Sequence, residues 1–164
     1  MKTLSLSLKD IYPIMEQAFS ENECVHLTVR GNSMSPFLRD GRDTATFSAL
    51  QGRKICKGDI VFYQRAGGQF VMHRVYSVET DGTMTMLGDA QWTLEKGIRP
   101  DQLRAYVTKV TRKGQEISCE KGFYRRLMTL WQLRIRFPRL ARLWLKILHL
   151  PFGVKRRIDC LLKK

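Results

Sequence analysis

Residues 69–87 read Gln-Phe-Val-Met-His-Arg-Val-Tyr-Ser-Val-Glu-Thr-Asp-Gly-Thr-Met-Thr-Met-Leu, and this stretch decides the fold. Two strand-like runs, 69–79 and 83–87, flank Asp81-Gly82, a dipeptide suited to a tight hairpin turn. The pattern repeats outward from there. Gly67-Gly68 separates Phe62 from Phe70 as a second turn, and Lys113-Gly114 separates runs at 103–111 and 115–119. Further runs at 25–30, 43–48 and 59–64 complete a mainly β body over residues 25–120. Before it, residues 1–24 form a lead-in with a short helix at 8–20. Ile11, Ile14, Met15 and Ala18 fall at helical spacing there, and Pro13 stands in the early turns.

The end of the chain differs in kind. Residues 1–120 hold 16 Lys/Arg against 14 Asp/Glu, whereas residues 121–164 hold 13 Lys/Arg against the single acid Asp159. Almost all of the net charge of +14 therefore lies in a tail, 121–164, whose period is helical. Tyr124, Leu127, Trp131 and Ile135 share one face. A second helix is expected from Pro138, with Leu140, Leu143, Trp144, Ile147 and Leu148 opposite Arg139, Arg142 and Lys146. Three readings of this basic amphipathic tail follow. It can lie in the plane of an anionic membrane surface. It can dock its apolar face on the β body. It can neutralise nucleic-acid phosphates, although no recognition module accompanies the charge.

With 164 residues, 43 % of them apolar, the chain is one domain's worth plus an appendage. Cys24, Cys56, Cys119 and Cys160 stand far apart without a CxxC pair, which points to free thiols in a reducing compartment and to no zinc site. Neither a signal-peptide core nor a run of about 20 uncharged apolar residues is present. The expected location is the cytoplasm or the cytosolic face of a membrane, and no metal or organic cofactor is expected.

The residues able to do chemistry sit in the β body. Ser33, between Gly31 and Pro36, follows the run at 25–30, where a strand-to-turn transition can hold a hydroxyl exposed on a rigid backbone. A serine needs a base to take its proton. His73 suits that task, because an imidazole titrates near neutral pH whereas a lysine must first be deeply desolvated. Asp89, in Leu-Gly-Asp-Ala-Gln, is the candidate acid to orient the base. Taken singly, each has an ordinary reading: a turn serine, a packed strand histidine, a turn aspartate. The functional reading rests on their occurring together and in order.

That order carries a resemblance. Gly31-Asn32-Ser33-Met34-Ser35-Pro36, Lys57-Gly58-Asp59-Ile60-Val61-Phe62, Val71-Met72-His73-Arg74-Val75 and Leu87-Gly88-Asp89-Ala90-Gln91 resemble the ordered boxes of the signal peptidase/LexA superfamily of serine peptidases. The likeness spans about residues 25–111, and His-Arg at 73–74 resembles the Ser-His branch. The resemblance implies a β catalytic fold with Ser33 as nucleophile, His73 as base and Asp89 in support. Asn32, Met34 and Ser35 would lie at the oxyanion and substrate-binding region, with the second oxyanion donor open between Asn32, Ser35 and neither. The chain departs from the superfamily in having Gly31-Asn32 where signal peptidases carry Ser-Gly, and Gly41-Arg42-Asp43 where Gly-Asp is usual. It also lacks a membrane anchor before the serine. About 24 residues precede the core, with neither a cleavable Ala-Gly pair nor room for a helix-turn-helix, so an autoproteolytic repressor does not fit. The expected function is a signal-peptidase-like endopeptidase acting on a cytosolic or membrane-proximal peptide precursor. The alternative is an inactive module of the same fold that binds or escorts peptides.

Overall fold

The computed structural model describes residues 8–120 and 122–138. Its centre is an antiparallel eight-stranded sheet, comprising β1 (Val25–Thr28), β2 (Asp43–Ser48), β3 (Ile60–Gln64), β4 (Phe70–Val78), β5 (Met84–Leu87), β6 (Glu95–Ile98), β7 (Leu103–Arg112) and β8 (Gln115–Ser118). The strand order is β1-β2-β7-β3-β4-β5-β6, with β8 paired to β7. A mainly β body is thus what forms, preceded by helix α1 (Leu8–Ser20).

Each turn named above forms for a local reason. In the β4–β5 hairpin Gly82 takes φ 83°, and Thr83 donates its N–H to Asp81 Oδ1 at 2.9 Å. In the β3–β4 hairpin Gly68 takes φ 80°, and the Arg65 N–H reaches the Gln69 carbonyl at 2.9 Å. The strands missing from the sequence reading reduce to one, β6. Its Glu-Lys-Gly-Ile has no alternation, and it forms by pairing with β5, Met84 opposite Ile98 and Met86 opposite Glu95.

Strand β3 is buried along both faces, and this explains its run of apolar residues. Ile60 and Phe62 join a core with Met15, Met34, Leu38 and Phe47, whereas Val61 and Tyr63 join a second core with Val75, Met86 and Leu103. Helix α1 covers the first core through Met15, with Ile11, Tyr12 and Phe19 packed beside it. Ile14, expected on the apolar face, is 62 % exposed, and Tyr12 takes its place, its ring tilted against Phe70 with centroids 4.9 Å apart. Just past the helix end at Ser20, the left-handed φ of 61° at Asn22 lets the Glu23 N–H return to the Ala18 carbonyl at 2.9 Å.

The chain divides into two units, Met1–Thr129 and Leu130–Lys164. Helix α2 runs over Gly122–Gln132 and is followed by a 3₁₀ turn at Leu133–Ile135. Of the face expected from the sequence, Leu127 is exposed while Trp131 and Ile135 are half-buried; Met128, Gln132 and Arg134 are buried. Within the second unit Arg134 Nη1 donates to the Trp131 carbonyl at 3.2 Å and lies 5.1 Å from that ring's centre. The helix expected from Pro138 lies outside the described residues. Cys24 and Cys56 are exposed free thiols, and Cys119 is buried.

Candidate active site

The Ser33 turn is built by the strand that leads into it. Beyond β1, Val29 stays paired, its N–H on the Asp43 carbonyl at 2.8 Å and its own carbonyl taking the Gly41 N–H at 2.9 Å. Gly31 then turns the chain with φ 87°, its N–H held by Asp40 Oδ1 at 2.9 Å. The segment coils over itself, with Ser35 N–H on the Asn32 carbonyl at 3.1 Å and Leu38 N–H on the Met34 carbonyl at 2.9 Å. Met34 and Leu38, each 1 % exposed, anchor the coil in the first core. Asn32 is exposed, and Ser33 and Ser35 are half-buried. Asp43, next to the unusual Gly41-Arg42, is buried and accepts from Arg42, Arg112 and the Arg39 N–H. Burial would raise its pKa, but those donors outweigh burial and hold it well below the usual carboxylate range.

Ser33 and His73 line one cavity of about 710 Å³. Its walls include Phe62, Phe70 and Met72 on the apolar side, with Gln69 and Gln91 as polar groups. His73 is 2 % exposed and stands opposite Val61 in the β3–β4 ladder. Tyr63 is its diagonal neighbour across that ladder, so the two side chains meet on the same face. Tyr63 Oη lies 3.2 Å from His73 Nδ1 and donates to Glu95 Oε2 at 2.8 Å. Arg65 in turn grips Glu95, Nε to Oε1 at 2.7 Å and Nη2 to Oε2 at 2.6 Å. The ring's hydrogen bond is therefore to Tyr63 rather than to Ser33.

Charge in this cluster follows from its burial. Desolvation pushes the His73 pKa down to about 4, against an upward pull from Glu95 and Asp89 and with a further downward push from Arg65. The imidazole is therefore neutral at pH 7, with one ring nitrogen unprotonated. Burial also pushes the Tyr63 phenol well above its ordinary value, with Glu95 adding to the rise. The Arg65 hydrogen bonds hold the Glu95 carboxyl below its ordinary range.

Asp89, expected to support the base, bears on His73 through its charge, while both its oxygens accept from Arg74, Nε at 2.9 Å and Nη2 at 2.7 Å. A second carboxylate, Glu95, lies 3.9 Å from His73 Nδ1. Asp89 also ties the boxes together. Arg74 Nη1 also donates to the Gly58 carbonyl at 3.0 Å, and Ala90, the residue after Asp89, donates its N–H to the Ser33 carbonyl at 2.8 Å. Gly88 is needed there for space: a Cβ would stand 2.8 Å from that same Ser33 oxygen. The serine box, the Lys57-Gly58-Asp59 box, the His-Arg box and the Gly88-Asp89 box thus converge on one buried ion pair. Tyr63, Arg65 and Glu95 were missed in the sequence. Only the even spacing of Tyr63 within its strand hinted at a shared face with His73.

No curated protein and no solved structure matches this chain. The family model described as Peptidase S24-like matches residues 3–89, more than half of the sequence, and takes in the serine turn and the histidine strand, ending at Asp89 within the last box. The chain therefore belongs to the Peptidase S24-like family.

Proposed function

We propose that the protein is a serine endopeptidase with Ser33 as nucleophile and His73 as general base, acting on a cytosolic or membrane-proximal peptide precursor. The observation that carries this reading is that Ser33 and a neutral, hydrogen-bonded His73 line the same cavity. In the proposed reaction Ser33 Oγ attacks the scissile carbonyl while His73 Nε2 takes its proton. The imidazolium returns that proton to the leaving amine, and water then releases the acyl group by the reverse sequence. Labelling by a fluorophosphonate probe tests the assignment. It is expected for the wild type and lost in Ser33→Ala and His73→Ala. Equal labelling of Ser33→Ala would overturn it.

A second reading, a peptide-binding module without catalysis, draws on β1. That strand is at the end of the sheet order among the described residues, and His26, Leu27 and Thr28 line the cavity, so an extended peptide can add along its outer edge. This reading expects no labelling and peptide binding that survives Ser33→Ala. As to the partner of the tail, we infer that residues 121–164 bring the domain to anionic lipid. The charge of that segment supports this, as do exposed Leu130, Leu133 and Phe137 beside exposed Arg136. Among the described residues no helix is long and apolar enough to cross a membrane.

A further inference from the structure

We propose that Tyr63 and Glu95 are positioning residues that fix the tautomer of His73, Tyr63 accepting from Nδ1–H because its own proton is committed to Glu95. The inference rests on the Ser33–His73 reading of the site and adds to it the groups that make the histidine a base at the correct nitrogen.

The argument is one of donors and acceptors. Glu95 receives two hydrogen bonds from Arg65 and is ionised, so both of its oxygens accept only. The phenol has one proton, and it lies on the 2.8 Å bond to Glu95 Oε2. At the 3.2 Å contact with His73 the phenol oxygen is then the acceptor, and Nδ1 is the nitrogen that carries hydrogen. A neutral imidazole has only one N–H, which leaves the lone pair on Nε2. That is the form a general base for Ser33 requires.

Charge stabilisation is the lesser part of the arrangement. Glu95 is 3.9 Å from the ring nitrogen, but Arg65 pairs with it and offsets its field. The other charged group bearing on the ring, Asp89, is engaged by Arg74. The chain Arg65–Glu95–Tyr63–His73 therefore orients and selects a tautomer more than it pulls positive charge onto the ring. No proton needs to move along it during the reaction.

This predicts an order of effects that a purely structural role would not produce. Tyr63→Phe removes the acceptor and leaves the ring to choose either tautomer. Glu95→Ala does worse, since the released phenol proton turns to Nδ1 and drives hydrogen onto Nε2. Adding Tyr63→Phe to Glu95→Ala then removes the misdirected donor and partly restores the base.

The experiment uses the full chain and two readouts. Histidine ring ¹⁵N spectra, with the His73 signals assigned by their loss in His73→Gln, report the tautomer, and fluorophosphonate acylation rates report the base. The wild-type ring, its signals once assigned, is expected with hydrogen on Nδ1 and a bare Nε2. Fixing a catalytic imidazole in the wrong tautomer costs up to roughly 10⁴-fold. With a softer bias here, losses of about tenfold for Tyr63→Phe and about a hundredfold for Glu95→Ala are expected, with the double variant close to Tyr63→Phe alone. A wild-type ring protonated on Nε2, or losses that multiply in the double variant, would overturn the proposal. If wild type is not acylated yet its ring is the Nδ1–H form and reverts in Glu95→Ala, the positioning role stands and the nucleophile assignment falls.

Discussion

Arg74 and Asp89 meet in a two-pronged ion pair at 2.9 and 2.7 Å, with neither side chain more than 1 % exposed. Desolvating two charges is costly, so removing one partner leaves the other uncompensated in the interior. Asp89→Ala and Arg74→Ala are each expected to destabilise by about 3–5 kcal/mol. Replacing both, Arg74→Met with Asp89→Leu, is expected to recover much of that loss. Urea unfolding of the three variants checks this, and a double variant as unstable as the sum of the singles would contradict it.

His73 ties the pH dependence of the site to that of the fold. Its native pKa of about 4 lies below the roughly 6.5 of a free imidazole, so between these values the unfolded chain binds more protons. Stability from this residue is complete above about pH 6.5 and is lost as pH falls towards 4, by on the order of 3 kcal/mol. Acylation of Ser33 should show its lower inflection near pH 4 and be flat through neutrality. Rates rising steeply between pH 6 and 7.5 would contradict a buried, neutral base. The stability component is isolated by comparing His73→Gln with wild type at pH 7 and pH 4.5.

The loop that carries Asp89 also sets the backbone of Ser33, through the 2.8 Å bond from Ala90 N–H. In Gly88→Ala the new methyl would meet the Ser33 carbonyl and Gln91 Oε1, each at 2.8 Å. Overpacking of this kind costs about 1–3 kcal/mol. Because the displaced atom belongs to the nucleophile, labelling should fall by more than the stability loss explains. Gly67→Ala, with nothing within 4 Å of its Cβ, is the matched control and should label like wild type.

What was legible in the sequence was what local chemistry encodes. Alternation and Gly-bearing turns marked the strands from Val25 to Ser118, and helical spacing marked α1. β6 was illegible because Glu95-Lys96-Gly97-Ile98 owes its strand form to a partner in β5. The most informative side chain of the site, Glu95, lies on that unread strand, 32 positions from the Tyr63 it binds. Ser33 and His73 stood out because their residue types are chemically suggestive. Tyr63 passed as core because half of its role is core: it packs with Val61 and Val75 and keeps only its hydroxyl for His73. Sequence order places Asp89 beside the His-Arg box but does not show that Arg74 takes both of its oxygens.

The tail lends itself to a direct measurement. Each Lys or Arg close to an anionic leaflet contributes about 1 kcal/mol, and exposed leucines add burial in the headgroup boundary. The 13 cations of residues 121–164 are opposed by one acid, so the segment should discriminate lipid by charge. Sedimentation with phosphatidylserine-containing vesicles is expected to carry the protein down at low salt, and neutral phosphatidylcholine vesicles much less. Raising salt to 0.5 M should weaken the binding as the charges are screened. Leu130 and Leu133 are exposed, so Leu130→Gln with Leu133→Gln should leave the fold intact and reduce vesicle binding. Equal partition onto charged and neutral vesicles, or no effect of the double substitution, would remove the membrane from the list of partners and favour docking of the tail on its own protein.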